Sequence, residues 1–188
     1  MVETISKMVD LGTAAADFSL PNTNPNIDAN EVSLSDFADA QGLVLAFICN
    51  HCPYVVKIKQ AFSQFAADYA QSGIAVIAIS ANDISTHPAD APKYMTQDAI
   101  RFNYPFPYLY DESQRTAHSY DAVCTPDFYL FDSSRRLVYR GQFDDSRPGN
   151  SIPSTGSDLR AAVDALLGGE SISENQKPSV GCSIKWKR

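Results

Sequence analysis

The residues of this sequence best suited to chemistry are two cysteines separated by two residues, Cys49-Asn50-His51-Cys52. Two thiols at that spacing share one side of a helical turn, which brings their Cα atoms within the span a disulfide tolerates. The pair can therefore cycle between dithiol and disulfide. Cys49 is expected immediately before a helix, where unpaired backbone amides and the helix dipole favour a thiolate. Thiols in such settings ionise at roughly pH 3.5–7.5, so Cys49 is read as the nucleophile. Cys52, one turn deeper, is read as the residue that resolves a mixed disulfide. His51 lies between them. It either stabilises the thiolate by a hydrogen bond or positive charge, or it is an exposed loop histidine without electronic influence.

The flanking sequence provides the elements that hold this pair. Leu43 to Ile48 is a short, continuous apolar run, as expected of a strand buried on both faces. From Pro53 to Ser72 the apolar residues Val55, Ile58, Phe62, Phe65 and Tyr69 recur every three or four positions, tracing one face of a helix that Gly73 stops. Ile74 to Ser80 is a second β-rich run, so the region reads as a βαβ unit with parallel strands. Further on, a helix is expected over Asp90 to Asn103, a short strand in PFPYLY, and a helix over Ser113 to Tyr120. Pro126 to Phe131 and Leu137 to Phe143 form an antiparallel hairpin across DSSRR. A closing helix spans Asp158 to Leu167, with Thr155 and Ser157 as capping candidates and Gly168-Gly169 at its end. A tail runs from Glu170 to Arg188.

At 188 residues, 44% hydrophobic and 20% charged, the chain reads as one globular domain, with a core over about residues 17–169. A net charge of -7 opposes nucleic-acid binding, because phosphate contacts need clustered cations. No run approaches the roughly 20 apolar residues that span a bilayer, so no membrane partner is expected. The N-terminus lacks a basic start followed by an apolar stretch, and a cytoplasmic location is expected. No Gly-rich phosphate loop is present and no organic cofactor is implied.

CNHCPYV, VCTPDFYLFD and PSVGCSIKWK resemble the thioredoxin-like redoxin family, related to alkyl hydroperoxide reductase and thiol-specific antioxidant proteins, over about Asp17 to Lys187. The resemblance implies an α/β thioredoxin-like fold, a mixed sheet flanked by helices, with an N-terminal extension, a central insertion and a C-terminal tail. It maps the family's cis-proline onto Pro126, preceded by Thr125, which would receive an extended substrate by β-addition beside Cys49. The alternative is a trans proline that merely opens an edge strand. Cys124 then lies close to the active loop, as a third redox thiol or a small buried hydrophobe. The tail is implied to fold back, bringing Cys182 near Cys124 or Cys49, with a second disulfide expected between Cys124 and Cys182. One departure stands out: the strand LVLAFI lacks the buried acid that many thioredoxins use for proton transfer, so water or another residue must serve. Tyr54, Lys57, Arg140, Asp144 and Asp145 are read as solvated groups.

The resulting expectation is a thiol-disulfide oxidoreductase acting on a protein or small-molecule disulfide, with a thiol electron donor. Two other readings compete. A peroxiredoxin would place Thr or Ser three residues before its reactive cysteine, whereas Ala46 precedes Cys49 at that distance. A Zn(II) or Cu(I) site would need Cys49, Cys52 and a third ligand such as His51, Cys124 or Cys182, and the chain has a single CxxC. No metal is assigned.

Overall fold

The computed structural model describes residues 3–188. In chain order the elements are β1 (Glu3–Ile5), β2 (Ser19–Pro21), β3 (Glu31–Ser33), β4 (Gly42–Phe47), α1 (Pro53–Tyr69), β5 (Ile74–Ser80), α2 (Pro92–Arg101), β6 (Tyr108–Tyr110), α3 (Arg115–Ser119), β7 (Cys124–Thr125), β8 (Asp127–Asp132), β9 (Leu137–Gly141), α4 (Ser157–Gly168) and β10 (Val180–Ser183). Among the described residues no helix is long and apolar enough to cross a membrane.

The central sheet has the order β6-β5-β4-β8-β9. β4 pairs with β5 in parallel and with β8 antiparallel, and β8 turns back into β9, as the apolar runs predict. All six residues of β4 are buried. Successive side chains of a strand point to opposite faces, and the core divides accordingly. Val44 and Ala46 join Ile58, Phe62 and Phe65 of α1 and Leu159 and Val163 of α4. Leu43, Leu45 and Phe47 face the other way, toward Phe18, Leu20 and Val32 of the N-terminal segment and Ala117 of α3. The strand is thus clamped between two apolar layers, which fixes the direction in which the loop after it emerges.

Helix α1 carries its expected apolar stripe inward and ends at Tyr69, after which Gly73 turns the chain at φ +85°. Two expectations are corrected nearby. The helix predicted from Asp90 begins instead at Pro92, because the residue before a proline is pushed out of the helical region; Ala91 is extended, and Pro88–Asp90 form a separate 3-10 turn. Helix α4 begins at Ser157, one residue earlier than predicted, without a hydroxyl cap from Thr155 or Ser157. Asp144, read from sequence as solvated, is buried and accepts the Thr155 and Gly156 amides at 2.7 Å each. A Cβ on Gly156 would lie 2.5 Å from the Phe143 ring, so this approach requires glycine.

The tail is built into the fold. β10 lies between β1 and β7 in a small antiparallel sheet that joins both ends of the described chain to the segment preceding Pro126. Trp186 stacks on His118 with ring centroids 4.2 Å apart, and Asp83 and Gln114 bond the Lys185 carbonyl.

Candidate active site

β4 ends at Phe47, and Cys49 to Cys52 form the loop that enters α1. Cys52, rather than Cys49, occupies the N-cap position, since Pro53 is the first helical residue. Above the loop the Thr125–Pro126 peptide is cis, as the resemblance implies. Thr125 spans both sulfurs: its hydroxyl lies 3.4 Å from Cys49 Sγ, and its carbonyl accepts from Cys52 Sγ at 3.2 Å in the thiol form. The two cysteines also hydrogen-bond each other through their side chains. Both are buried, Cys49 at 1% exposure and Cys52 at 0%.

This geometry redistributes the charge expected from sequence. The Cys49 thiol is held well above the ordinary thiol range, first by its hydrogen bond to Cys52, then by burial and by the charge of Asp90. Cys52 is drawn down to about 5, chiefly by the hydrogen bond from Cys49, against the opposing effect of burial, with help from Cys182 and from the Val55 amide at the helix start. The hydrogen bond between the sulfurs thus keeps a proton on the Cys49 side and favours negative charge on the Cys52 side. Two features of the geometry oppose an anion on Cys49: the helix amides begin one turn later, at Cys52, and a carboxylate stands beside Cys49.

That carboxylate, Asp90, is a residue of the candidate site that sequence reasoning missed. It is fully buried, accepts the backbone amides of Asn50 at 2.8 Å and His51 at 3.3 Å, and takes the Asn82 amide at 2.7 Å. His51 Nδ1 lies 2.7 Å from it, an ion pair when the ring is protonated, and the His51 ring stacks on His87. Cys49, His51 and Asp90 place one donor atom each within 4.8 Å of one another. The same residues would suit a soft divalent cation, yet every Asp90 oxygen already has a protein partner, so the set fits a hydrogen-bonded cluster better than a metal centre. Pro88 and Pro92, flanking Asp90, were the available signal: they exclude a continuous helix through it. Asn50 is fixed by Tyr108, which donates to its side-chain oxygen at 2.9 Å, and by Lys59, which donates to its carbonyl at 2.8 Å.

The remaining sequence candidates are placed differently from expectation. In β7 and β10, Cys182 faces Thr125 and Cys124 faces Ser183. Adjacent residues of a strand point to opposite sides, so Cys124 and Cys182 lie on opposite faces, and the expected pairing between them is not how the strands are registered. Cys182 instead hydrogen-bonds Cys52. Cys124 is fully buried beside Asp127, and burial pushes its thiol far up. The edge on which Thr125 would receive a substrate strand is also filled. Val123 accepts the Ile184 amide at 2.9 Å, and backbone groups of residues 123 and 125 point to the same edge, so β10 occupies it.

A protein-family model described as the AhpC/TSA family matches residues 11–140, more than half of the chain. The chain belongs to the AhpC/TSA family. Among solved structures, this AhpC/TSA protein is similar to a hypothetical protein of Sinorhizobium meliloti 1021, at 49% identity over 98% of each chain with a TM-score of 0.94. It is also similar to an uncharacterized conserved protein of Geobacillus kaustophilus, at 50% identity over 100% of this chain and 97% of that one, TM-score 0.94. A putative thiol:disulfide interchange protein DsbE of Chlorobium tepidum shares the fold at 23% identity, covering 85% of this chain and 99% of its own, TM-score 0.64. No curated protein matches the sequence. The fold is thioredoxin-like, and the AhpC/TSA family is one of redox proteins acting through thiols.

Proposed function

We propose that this AhpC/TSA protein is a thiol-disulfide oxidoreductase in which Cys49 attacks and Cys52 resolves. The observation that carries the reading is the direct hydrogen bond between two buried sulfurs, both also bonded to Thr125 at the cis-proline loop. Cys49 is assigned the attack because it adjoins Asn50 and His51, which line a cleft of about 490 Å³ together with Tyr94, Gln97 and Arg101. Cys52 is enclosed by Cys49, Cys182 and the Thr125 carbonyl.

Transfer of the Cys49 proton to Cys52 along their hydrogen bond moves the anion to Cys49, where the Thr125 hydroxyl stabilises it. Asp90, with His51 Nδ1 2.7 Å away, opposes that movement. The Cys49 thiolate then attacks a substrate disulfide, forming a mixed disulfide and releasing one substrate thiolate. Cys52, after losing the transferred proton, attacks Cys49 Sγ, closing the Cys49–Cys52 disulfide and releasing the second thiolate. A donor thiol resets the couple. The occupied Thr125 edge supports a low-molecular-weight disulfide, entering from the cleft, over an extended peptide.

The test is a Cys52→Ser variant exposed to oxidised glutathione as probe. A hydroxyl cannot resolve, so a stable glutathione adduct is expected on Cys49 by peptide mass mapping, absent from the wild type after the same treatment. Adducts confined to Cys124 or Cys182, or none at all, would refute the assignment.

A further inference from the structure

We propose that Cys182 is a third redox-active thiol, which exchanges with the Cys49–Cys52 disulfide to form a Cys52–Cys182 disulfide and return Cys49 to the thiol state. The inference rests on the reading of Cys49 and Cys52 given above and concerns what happens after their disulfide closes.

The observations are geometric. Cys182 is buried at 4% exposure, within the same apolar cluster as Cys49 and Cys52, and its side chain hydrogen-bonds Cys52. Strand register places it opposite Thr125, the residue that already touches both other sulfurs. The position is held from both sides. β1 pairs Glu3 with Cys182, and Tyr54 on the first turn of α1 donates to the Glu3 carboxylate. Gly181 allows the close approach, since a Cβ there would lie 2.0 Å from the Thr125 carbonyl oxygen. Cys182 thus stands where the cysteine of a paired substrate strand would stand, supplied by the chain itself.

The chemistry balances without an added reagent. Cys182 loses its proton and attacks Cys52 Sγ; the Cys49–Cys52 bond breaks as the Cys52–Cys182 bond forms. Cys49 leaves as a thiolate beside the Thr125 hydroxyl and takes up one proton, so no net oxidation occurs. The oxidising equivalent entered earlier, from the substrate disulfide. In the reduced protein, burial and then the hydrogen bond and charge of Cys52 push the Cys182 thiol up to about 12. Once Cys52 is part of a disulfide its charge is gone and that part of the opposition is removed, so Cys182 becomes a better nucleophile in the oxidised state, when attack is required. The exchange hides the oxidised bond under the tail strand and frees Cys49 to engage a second substrate molecule.

The test uses the full chain, oxidised with one equivalent of oxidised glutathione, quenched in acid at intervals, alkylated and mapped without reduction. In the wild type, Cys49–Cys52 is expected first, followed by Cys52–Cys182 with a matching gain of alkylatable Cys49. Cys182→Ser and Cys182→Ala stop at Cys49–Cys52, with Cys49 blocked throughout. Cys49–Cys52 without any Cys52–Cys182 in the wild type overturns the role of Cys182 and leaves the CxxC reading intact. Absence of Cys49–Cys52 from the wild type and from both Cys182 variants instead overturns the CxxC reading, and the exchange with it.

Discussion

At Cys49 two local effects compete. The Thr125 hydroxyl favours its thiolate, and the Asp90 carboxylate opposes it. Asp90→Asn removes the charge while keeping an acceptor for the Asn50 and His51 amides, so Cys49 is expected to ionise more readily. The pH profile of iodoacetamide labelling at Cys49, followed by mass mapping, should move to lower pH than in the wild type; an unchanged or higher midpoint would show that Asp90 acts only as a scaffold. Every unit of such a shift is a tenfold change in the ionisation constant. The CxxC itself was readable, because its chemistry depends on residue type and spacing. Asp90 was not, because nothing in Pro88-Ala89-Asp90-Ala91-Pro92 says that the turn folds back onto residues forty positions earlier.

Among the elements, those resting on local periodicity were the legible ones. β4, α1 and β5 follow from apolar runs and a 3.6-residue stripe that each segment carries by itself. β10 has no such signature: four residues gain their place only by pairing with β1 and β7, both distant in sequence. That dependence can be tested at Gly181. In Gly181→Ala the added methyl collides with the Thr125 carbonyl, which is backbone and cannot rotate aside, so β10 is expected to detach while the central sheet persists. Labelling of Cys49 and Cys52 by a bulky maleimide should then accelerate by at least about tenfold, the factor that corresponds to roughly 1.4 kcal/mol in an opening equilibrium, with far-ultraviolet circular dichroism nearly unchanged. Equal labelling rates would mean that β10 does not cover the sulfurs.

For the molecule as a whole, Asp127 links the two sheets. It follows Pro126, is buried at 1% exposure and is the register partner of Phe47 on β4, while its carboxyl meets Tyr129 at 3.0 Å and Ser6 and Ser179 of the terminal segments. Burial pushes its carboxyl up to about 7. An unfolded Asp titrates near 3.9, so the folded protein keeps a proton that the unfolded chain has released. The contribution is greatest below about pH 4, falls as pH rises toward 7, and is level above that, a loss on the order of 4 kcal/mol. Urea midpoints should therefore drop between pH 4 and 7 in the wild type, and the drop should be much smaller in Asp127→Asn. A parallel decline in both proteins would assign the pH dependence elsewhere.

The clasp of β1, β10 and β7 also has a consequence for biosynthesis. The ribosome delivers Cys49 and Cys52 long before residues 180–183, the strand that closes over them. A nascent chain thus has both sulfurs uncovered by β10 until residues 180–183 have been made, and oxidation in that interval finds no Cys182 to receive the disulfide.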